Sequence, residues 1–179
     1  VASNGKSWIV GADNNRRDLY KTQRDGYARV FHLEDNGMWE QKGPTITGSE
    51  GSWTGYAVAM SGNGKIICVG DRKYRVSTDF VPGRVRCFEY AEWPNRRWIK
   101  LGGDIVGDYH EEESGYSLSL NEDGNILAIG SARYQSGSVR VFASNYRDDS
   151  WEIMGERITG DTDDDEMGFK VSLNKEGDV

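Results

Sequence analysis

The sequence predicts an all-β fold built from repeated sheets of four short antiparallel strands, and three observations predict it. A phrase beginning at Trp39, Trp98 and Trp151 is written three times, as WEQKGPTITG, WIKLGGDIVG and WEIMGERITG, with Gly, Ile and Gly recurring four, seven and nine residues after the Trp. A Gly-aromatic pair follows each copy, at Gly55-Tyr56, Gly115-Tyr116 and Gly168-Phe169, and a further Gly comes 15 residues later at Gly70 and Gly130. A third phrase occurs as GYARVF, GRVRCF and GSVRVF. The Trp-to-Trp intervals of 59 and 53 residues match the size of one such sheet in a repeat protein.

Each repeat reads as four strands, A to D. The second unit places them near 56–61, 65–70, 84–90 and 98–106, and the third near 116–121, 125–130, 138–144 and 151–159. Strands A and B are joined by tight turns, Gly62-Asn63-Gly64 and Glu122-Asp123-Gly124, of the kind that closes antiparallel hairpins. The B–C connections vary most in length, which suits surface loops. The C–D connections are polar, and the D–A connections grow more acidic along the chain, from SEGSW through DYHEEE to DTDDDE. Strands B and C are apolar at nearly every position (KIICVG, GNILAIG), so both of their faces must be covered. Copies of one four-stranded sheet that cover one another on both faces make a β-propeller. No segment keeps a 3.6-residue apolar period for three turns, which argues against helices.

The chain then divides into a partial blade at 1–54 (strands B, C and D), complete blades at 55–114 and 115–167, and the first strand of a further blade at 168–179. Twelve strands amount to about three blades' worth, fewer than the four to eight at which propellers close. The expectation is a part of a larger six- to eight-bladed propeller, the alternative being copies that assemble side by side into a ring.

With 36% hydrophobic and 28% charged residues, and 23 Gly against 3 Pro, the composition is that of a globular chain rich in turns. A net charge of −7 argues against a nucleic-acid partner, and the apolar runs are far too short to span a membrane. Cys68 and Cys87 stand at apolar positions of strands B and C and are expected to be buried free thiols, with a cross-strand disulfide as the alternative.

The unit GYSLSLNEDGNILAIGSARYQSGSVRVF resembles the FG-GAP repeats of integrin α-like propellers, through its Gly-aromatic opening, its A–turn–B core and its Gly-x-Val-Arg-Val-Phe strand. It is similar, more distantly, to the WD-repeat core, but Tyr or Phe replaces His and Val-Phe or Cys-Phe replaces Trp-Asp. The FG-GAP resemblance implies an extracellular or cell-surface setting. It does not carry over calcium to the A–B turns, whose oxygens are too few for six or more ligands.

In a propeller the D–A and B–C connections share one face, where function is to be sought. The candidate ligand-binding residues there are Trp53, Tyr74 and Tyr134 as aromatic platforms, with Arg72, Arg75 and Arg133 from the basic B–C loops. Opposite charges on that face also admit mutual neutralisation between loops. Trp39, Trp98 and Trp151 are expected to lock blade to blade. Arg29, Arg86 and Arg140 recur inside strand C and need partners, for which Glu40 and Glu152 are the candidates. No cofactor is implied, apart from calcium at Asp161, Asp163 and Asp165, whose alternate spacing could wrap an ion although Glu166 stands where an EF-hand-like loop wants Gly. His32 and His110 form no ligand-like pair, no Gly-rich phosphate loop is present, and no catalytic residue is singled out. The expected function is a non-catalytic interaction or adhesion module that meets a protein or glycan partner through this loop face. The alternatives are a carbohydrate-binding or carbohydrate-cleaving propeller, and a structural subunit of a larger assembly.

Overall fold

The computed structural model describes residues 2–3, 5–13 and 25–177, and among these there is no helix. Among the described residues twelve strands form three four-stranded antiparallel sheets. The first holds β1 (Ser7–Ala12), β2 (Tyr27–Leu33), β3 (Trp39–Gln41) and β4 (Ile46–Thr47). The second runs β5 (Thr54–Met60), β6 (Ile66–Asp71), β7 (Arg84–Ala91) and β8 (Arg97–Val106) in sequence order. The third repeats that order with β9 (Ser117–Leu120), β10 (Ile126–Ser131), β11 (Ser138–Asn145) and β12 (Ser150–Thr159). These are β-propeller blades, and the strands fall within a few residues of where the repeat phrases place them.

The outermost strand is broken in the first blade alone. There Pro44 has no N–H to give to a ladder, so the strand splits into β3 and β4, both paired with β2. The corresponding strands β8 and β12 stay continuous but shift register at the same place, between the partners of Val85 and Cys87 and of Val139 and Val141. Residues 168–177 form no ladder with a further strand. They follow β9 instead, where Ser119 Oγ accepts from the Leu173 amide at 2.9 Å and Ser117 Oγ donates to the Gly168 carbonyl at 2.7 Å.

The core lies between blades. Between the second and third, Ile66, Cys68, Val85, Cys87, Leu127 and Ile129 pack together, all at or below 5% exposure. Between the first and second, Ala28, Val30, Ile67, Val69 and Trp98 do the same. Strand β6 is buried at all six positions because its successive side chains enter the two clusters alternately, Ile66 and Cys68 one and Ile67 and Val69 the other, which is the physical reason for its unbroken apolar run.

Three repeated contacts join each blade to the next. At the inner end, Gly70 lies against Gly115 so closely that a Cβ on Gly115 would stand 3.0 Å from the Arg84 carbonyl oxygen and 3.1 Å from Gly70 Cα. Gly11 meets Gly55, and Gly130 meets Gly168, in the same way. Beside each lies a parallel bridge, Gly26 to Thr54, Gly83 to Ser114 and Gly137 to Met167. At the outer edge the Trp98 indole N–H donates to the Lys42 carbonyl at 2.9 Å and the Trp151 indole to the Leu101 carbonyl at 3.2 Å, so these tryptophans do lock blade to blade.

Two expectations are corrected. Cys68 and Cys87 are bonded to each other rather than free thiols, because the ladder sets them directly opposite with Cα atoms 4.1 Å apart. The strand C arginines do not pair with Glu40 and Glu152. Arg86 donates to Asp71 in its own blade, and Arg140 to Asp108 in the preceding D–A connection, while Arg29 lies over the Tyr27 ring. Glu40 and Glu152 stand on exposed outer strands, where Glu152 accepts from Asn145.

The glycine contact makes a sharp prediction. Gly130→Ala pushes a methyl group into the Gly168 backbone, closer than side chains tolerate, and is expected to cost about 3 kcal/mol or more. Gly103→Ala, with open space around it, is expected to change stability by less than about 0.5 kcal/mol. Chemical denaturation of both variants checks the difference, and equal effects would show that the close approach does not hold the blades.

Candidate functional site

At the loop face, the ends of the innermost strands carry two layers of polar structure. The deeper layer is an ion-pair network found in the second and third blades. In the second blade Asp71, whose side chain is fully buried, ends β6 and accepts from Arg84 Nε and Arg86 Nε at 2.8 Å each and from Thr54 Oγ1 at 2.5 Å. Arg84 also reaches Asp104 at 2.9 Å. Burial alone would raise the Asp104 pKa, but the Lys100 ammonium and the Arg84 guanidinium outweigh it and hold the carboxyl below its ordinary value.

The third blade builds the same network with its charges relocated. Ser131 replaces Asp71 and Ser138 replaces Arg84. The carboxylate comes instead from Glu112 in the D–A connection, and the second guanidinium from Arg157 in β12, at the position of Asp104. Glu112 Oε1 accepts from Ser131 Oγ at 3.1 Å and Arg157 at 3.0 Å and stands 3.5 Å from Arg140, while its Oε2 accepts from the amides of Asp108 and Tyr109. Asp108 pairs with both arginines. Burial lowers the Arg140 pKa, and the Glu112 and Asp108 carboxylates oppose that loss. Buried Asp71 and Glu112 are each met by several donors, so they hold the fold.

Nearer the surface lies an arc of aromatic rings. Tyr56, Tyr116 and Phe169 follow the joint glycines, so successive blades bring their rings together at centroid distances of 5.1 and 5.3 Å. Arg72 lies 3.8 Å over Tyr56, 4.8 Å over Trp53 and 5.2 Å over Tyr116. Arg133 lies 5.4 Å over Tyr116 and donates to its hydroxyl at 3.3 Å. Burial, and then the neighbouring Tyr116 hydroxyl, push the Tyr56 phenol up to about 12, so it stays a neutral O–H donor at physiological pH.

Trp53, Glu113 and Glu166 occupy equivalent positions two residues before the Gly-aromatic pair, and all three have left-handed backbones, with φ of 55°, 54° and 46°. That recurrence gives Trp53 structural counterparts that residue identity hides. Glu113 pairs with Arg72 at 3.2 Å and with Lys73, and Glu166 with Arg133 at 2.5 Å, so the basic B–C loop of one blade grips the acidic residue that leads into the next.

Of the residues expected from sequence, Trp53, Arg72 and Arg133 come together in or beside the arc. Tyr74 lies apart, under Arg84 at 3.8 Å, and Tyr134 stacks on Tyr109 at 4.9 Å. Arg75 is exposed. Asp161, Asp163 and Asp165 are not brought together around an ion position. The Asp165 carboxylate instead accepts from the Thr162 amide and hydroxyl and the Asp161 amide, bonds that hold its pKa below the ordinary value. Among the described residues no three His, Cys, Asp or Glu side chains could jointly hold a metal. Sequence reasoning missed Tyr56, Tyr116 and Phe169 as site residues because their recurrence read as a fold marker.

On the opposite face a cleft of about 890 Å³ opens between the first two blades, walled by Glu40, Lys42, Tyr90 and Trp93 among others, with Trp93 82% exposed.

No protein-family model matches the sequence, and no curated protein matches it. Solved structures are similar in fold. A periplasmic gluconolactonase of Pseudomonas aeruginosa matches at 15% identity and a TM-score of 0.47, over 84% of this chain and 38% of its own. A candidate 6-phosphogluconolactonase of Bacteroides uniformis matches at 20% and 0.48, over 79% and 41%. A hypothetical selenium-binding protein of Sulfolobus tokodaii matches at 13% and 0.50, over 93% and 43%. The chain thus spans about two fifths of the length of these structures. The expected non-catalytic interaction or adhesion module is corrected here. Among the described residues, Arg72, Lys73 and Arg133 of the loop-face cations meant to select a partner are bound to the chain's own carboxylates.

The relocated network is testable by rescue. Glu112→Ser leaves Arg140 and Arg157 short of a buried carboxylate and is expected to cost about 3 kcal/mol. Adding Ser131→Asp reproduces the second blade's arrangement and is expected to recover at least half of that in urea unfolding. No recovery would mean that the two blades do not share one network.

Proposed function

We propose that the chain forms part of a carbohydrate-binding or carbohydrate-cleaving propeller and takes its saccharide at the loop face, on Trp53, Tyr56 and Phe169 around the buried Tyr116. The observation that supports this is the interleaving of aromatic rings with Arg72 and Arg133. Ring faces stack on the C–H faces of a sugar, guanidinium N–H groups donate to hydroxyl, ring or carboxylate oxygens, and the neutral Tyr56 hydroxyl both donates and accepts. Glu113 and Glu166 hold Arg72 and Arg133 in place at that surface. We also assign the repeat to the FG-GAP type, on its Gly-aromatic opening and its Gly-x-Val-Arg-Val-Phe strand.

A glycan array, read for both binding and hydrolysis, tests the proposal. Trp53→Gly keeps the left-handed backbone while removing the ring, and is expected to weaken saccharide binding about tenfold, or about 1.4 kcal/mol, with the fold intact. Binding that survives Trp53→Gly but is lost in Trp93→Ala would move the ligand to the opposite cleft and overturn the loop-face reading. No saccharide bound at all would overturn the carbohydrate reading itself.

A further inference from the structure

The phrase that begins at each tryptophan has an apolar residue three places on in two of its copies, Leu101 and Met154, and a lysine in the first, Lys42. Leu101 belongs to the core between the second and third blades. Lys42 therefore carries an amine to a place that the next blade gives to a core side chain. Its backbone is pinned on both sides, since its N–H donates to the Val30 carbonyl at 2.8 Å and its carbonyl accepts from the Trp98 indole at 2.9 Å. The side chain runs over the Tyr90 ring, with Nζ 4.4 Å from the centroid, and donates to the Gly64 carbonyl at 3.3 Å. Tyr90 in turn packs on Trp98 at 5.1 Å.

This amine lines the cleft of about 890 Å³ on the face opposite the aromatic arc. Among the described residues, Lys6, Lys73 and Lys100 pair with carboxylates and Lys42 does not. The charges that share its cleft are mixed, Glu34, Glu40 and Glu92 against Lys65 and Arg96, with His32 on the same wall. Burial pushes the Lys42 amine below its ordinary pKa, and Lys65 adds to that while Glu92 opposes it. Burial also raises the Tyr90 phenol, so the ring under the amine keeps its proton and offers no phenolate to hold an ammonium. The bond to Gly64 uses one N–H, which a neutral amine still has, and leaves the nitrogen lone pair available.

We infer that Lys42 is the nucleophile of a second ligand site, which takes a small hydroxyaldehyde by reversible imine formation in this cleft. The nitrogen lone pair bonds to the carbonyl carbon while the carbonyl oxygen takes up a proton, giving a carbinolamine. The hydroxyl then leaves as water with the remaining nitrogen-bound proton, and a C=N bond forms. Amine and aldehyde thus become imine and water, with no oxidant or reductant consumed. Glu40 and Glu92 are the groups on that wall able to carry the proton between nitrogen and the departing oxygen. Gln41 and Asn63 supply amide partners for the hydroxyl groups, and exposed Trp93 offers a ring face to the carbon chain. The site does not rest on the loop-face reading.

Glyceraldehyde with cyanoborohydride, which reduces an imine and fixes it as a secondary amine, tests this by peptide mass mapping of the 179-residue chain near pH 7. Lys42 is expected to be labelled at least about tenfold faster than the exposed Lys65 and Lys175, at a rate that saturates with glyceraldehyde where theirs stays linear. Trp53→Gly is expected to leave that rate unchanged, so failure of the loop-face reading and failure of this one are separate results. Labelling of Lys42 no faster than that of Lys65 and Lys175 overturns the proposal and leaves a lysine stem packed between blades. Fast labelling that does not saturate overturns it too, because it shows a reactive amine without a ligand site.

Discussion

The backbone-to-backbone approach of Gly70 and Gly115, repeated at Gly11 and Gly55 and at Gly130 and Gly168, is the constraint from which the rest of this structure follows. It sets how near two sheets can come at their inner ends, and that distance brings the ring after each glycine against the ring of the next blade. The aromatic arc is therefore a consequence of the joint, because Tyr56 and Tyr116 meet where their glycines let the strands converge. Toward the rim, large side chains take over from glycine, and Trp98 and Trp151 fill the widening wedge while giving their N–H groups to the neighbouring blade. Small inside and large outside is the taper that a radial array of sheets requires.

Polar groups near the axis answer to the same geometry. A strand C arginine at a blade joint needs a buried carboxylate, and the second and third blades meet the need from different places, Asp71 on a strand end and Glu112 on a connection. The fold asks for a charge at a point in space and is indifferent to which segment carries it. Network residues can thus move between segments while the apolar phrases stay fixed.

Most of the fold was legible in the residues because the repeat phrases mark the joints themselves. The glycines are where the backbones touch, and the tryptophans are where the outer strands lock. The network was not legible for the reason just given: Glu40 and Glu152 stand on exposed outer strands, and the partners are Asp71 at the end of β6 and Glu112 and Asp108 in a connection whose path no periodicity encodes. The disulfide stood second to free thiols because Cys68 and Cys87 occupy apolar positions, and only the ladder register shows that they face each other. At the candidate site, Trp53, Arg72 and Arg133 come together on the loop face where their sequence positions put them. Tyr74 and Tyr134 recur in equivalent places and still diverge, since one lies under Arg84 and the other on Tyr109, neither of which recurs.

If the glycine joints carry the architecture, the second and third blades cannot open separately. Native-state hydrogen exchange, read at the buried amides of β6 and β10, tests this most directly. The account predicts one shared opening free energy for Ile67 to Val69 and for Leu127 to Ile129, lowered together by Gly130→Ala. Two distinct opening energies, with only the β10 amides responding to the substitution, would contradict it.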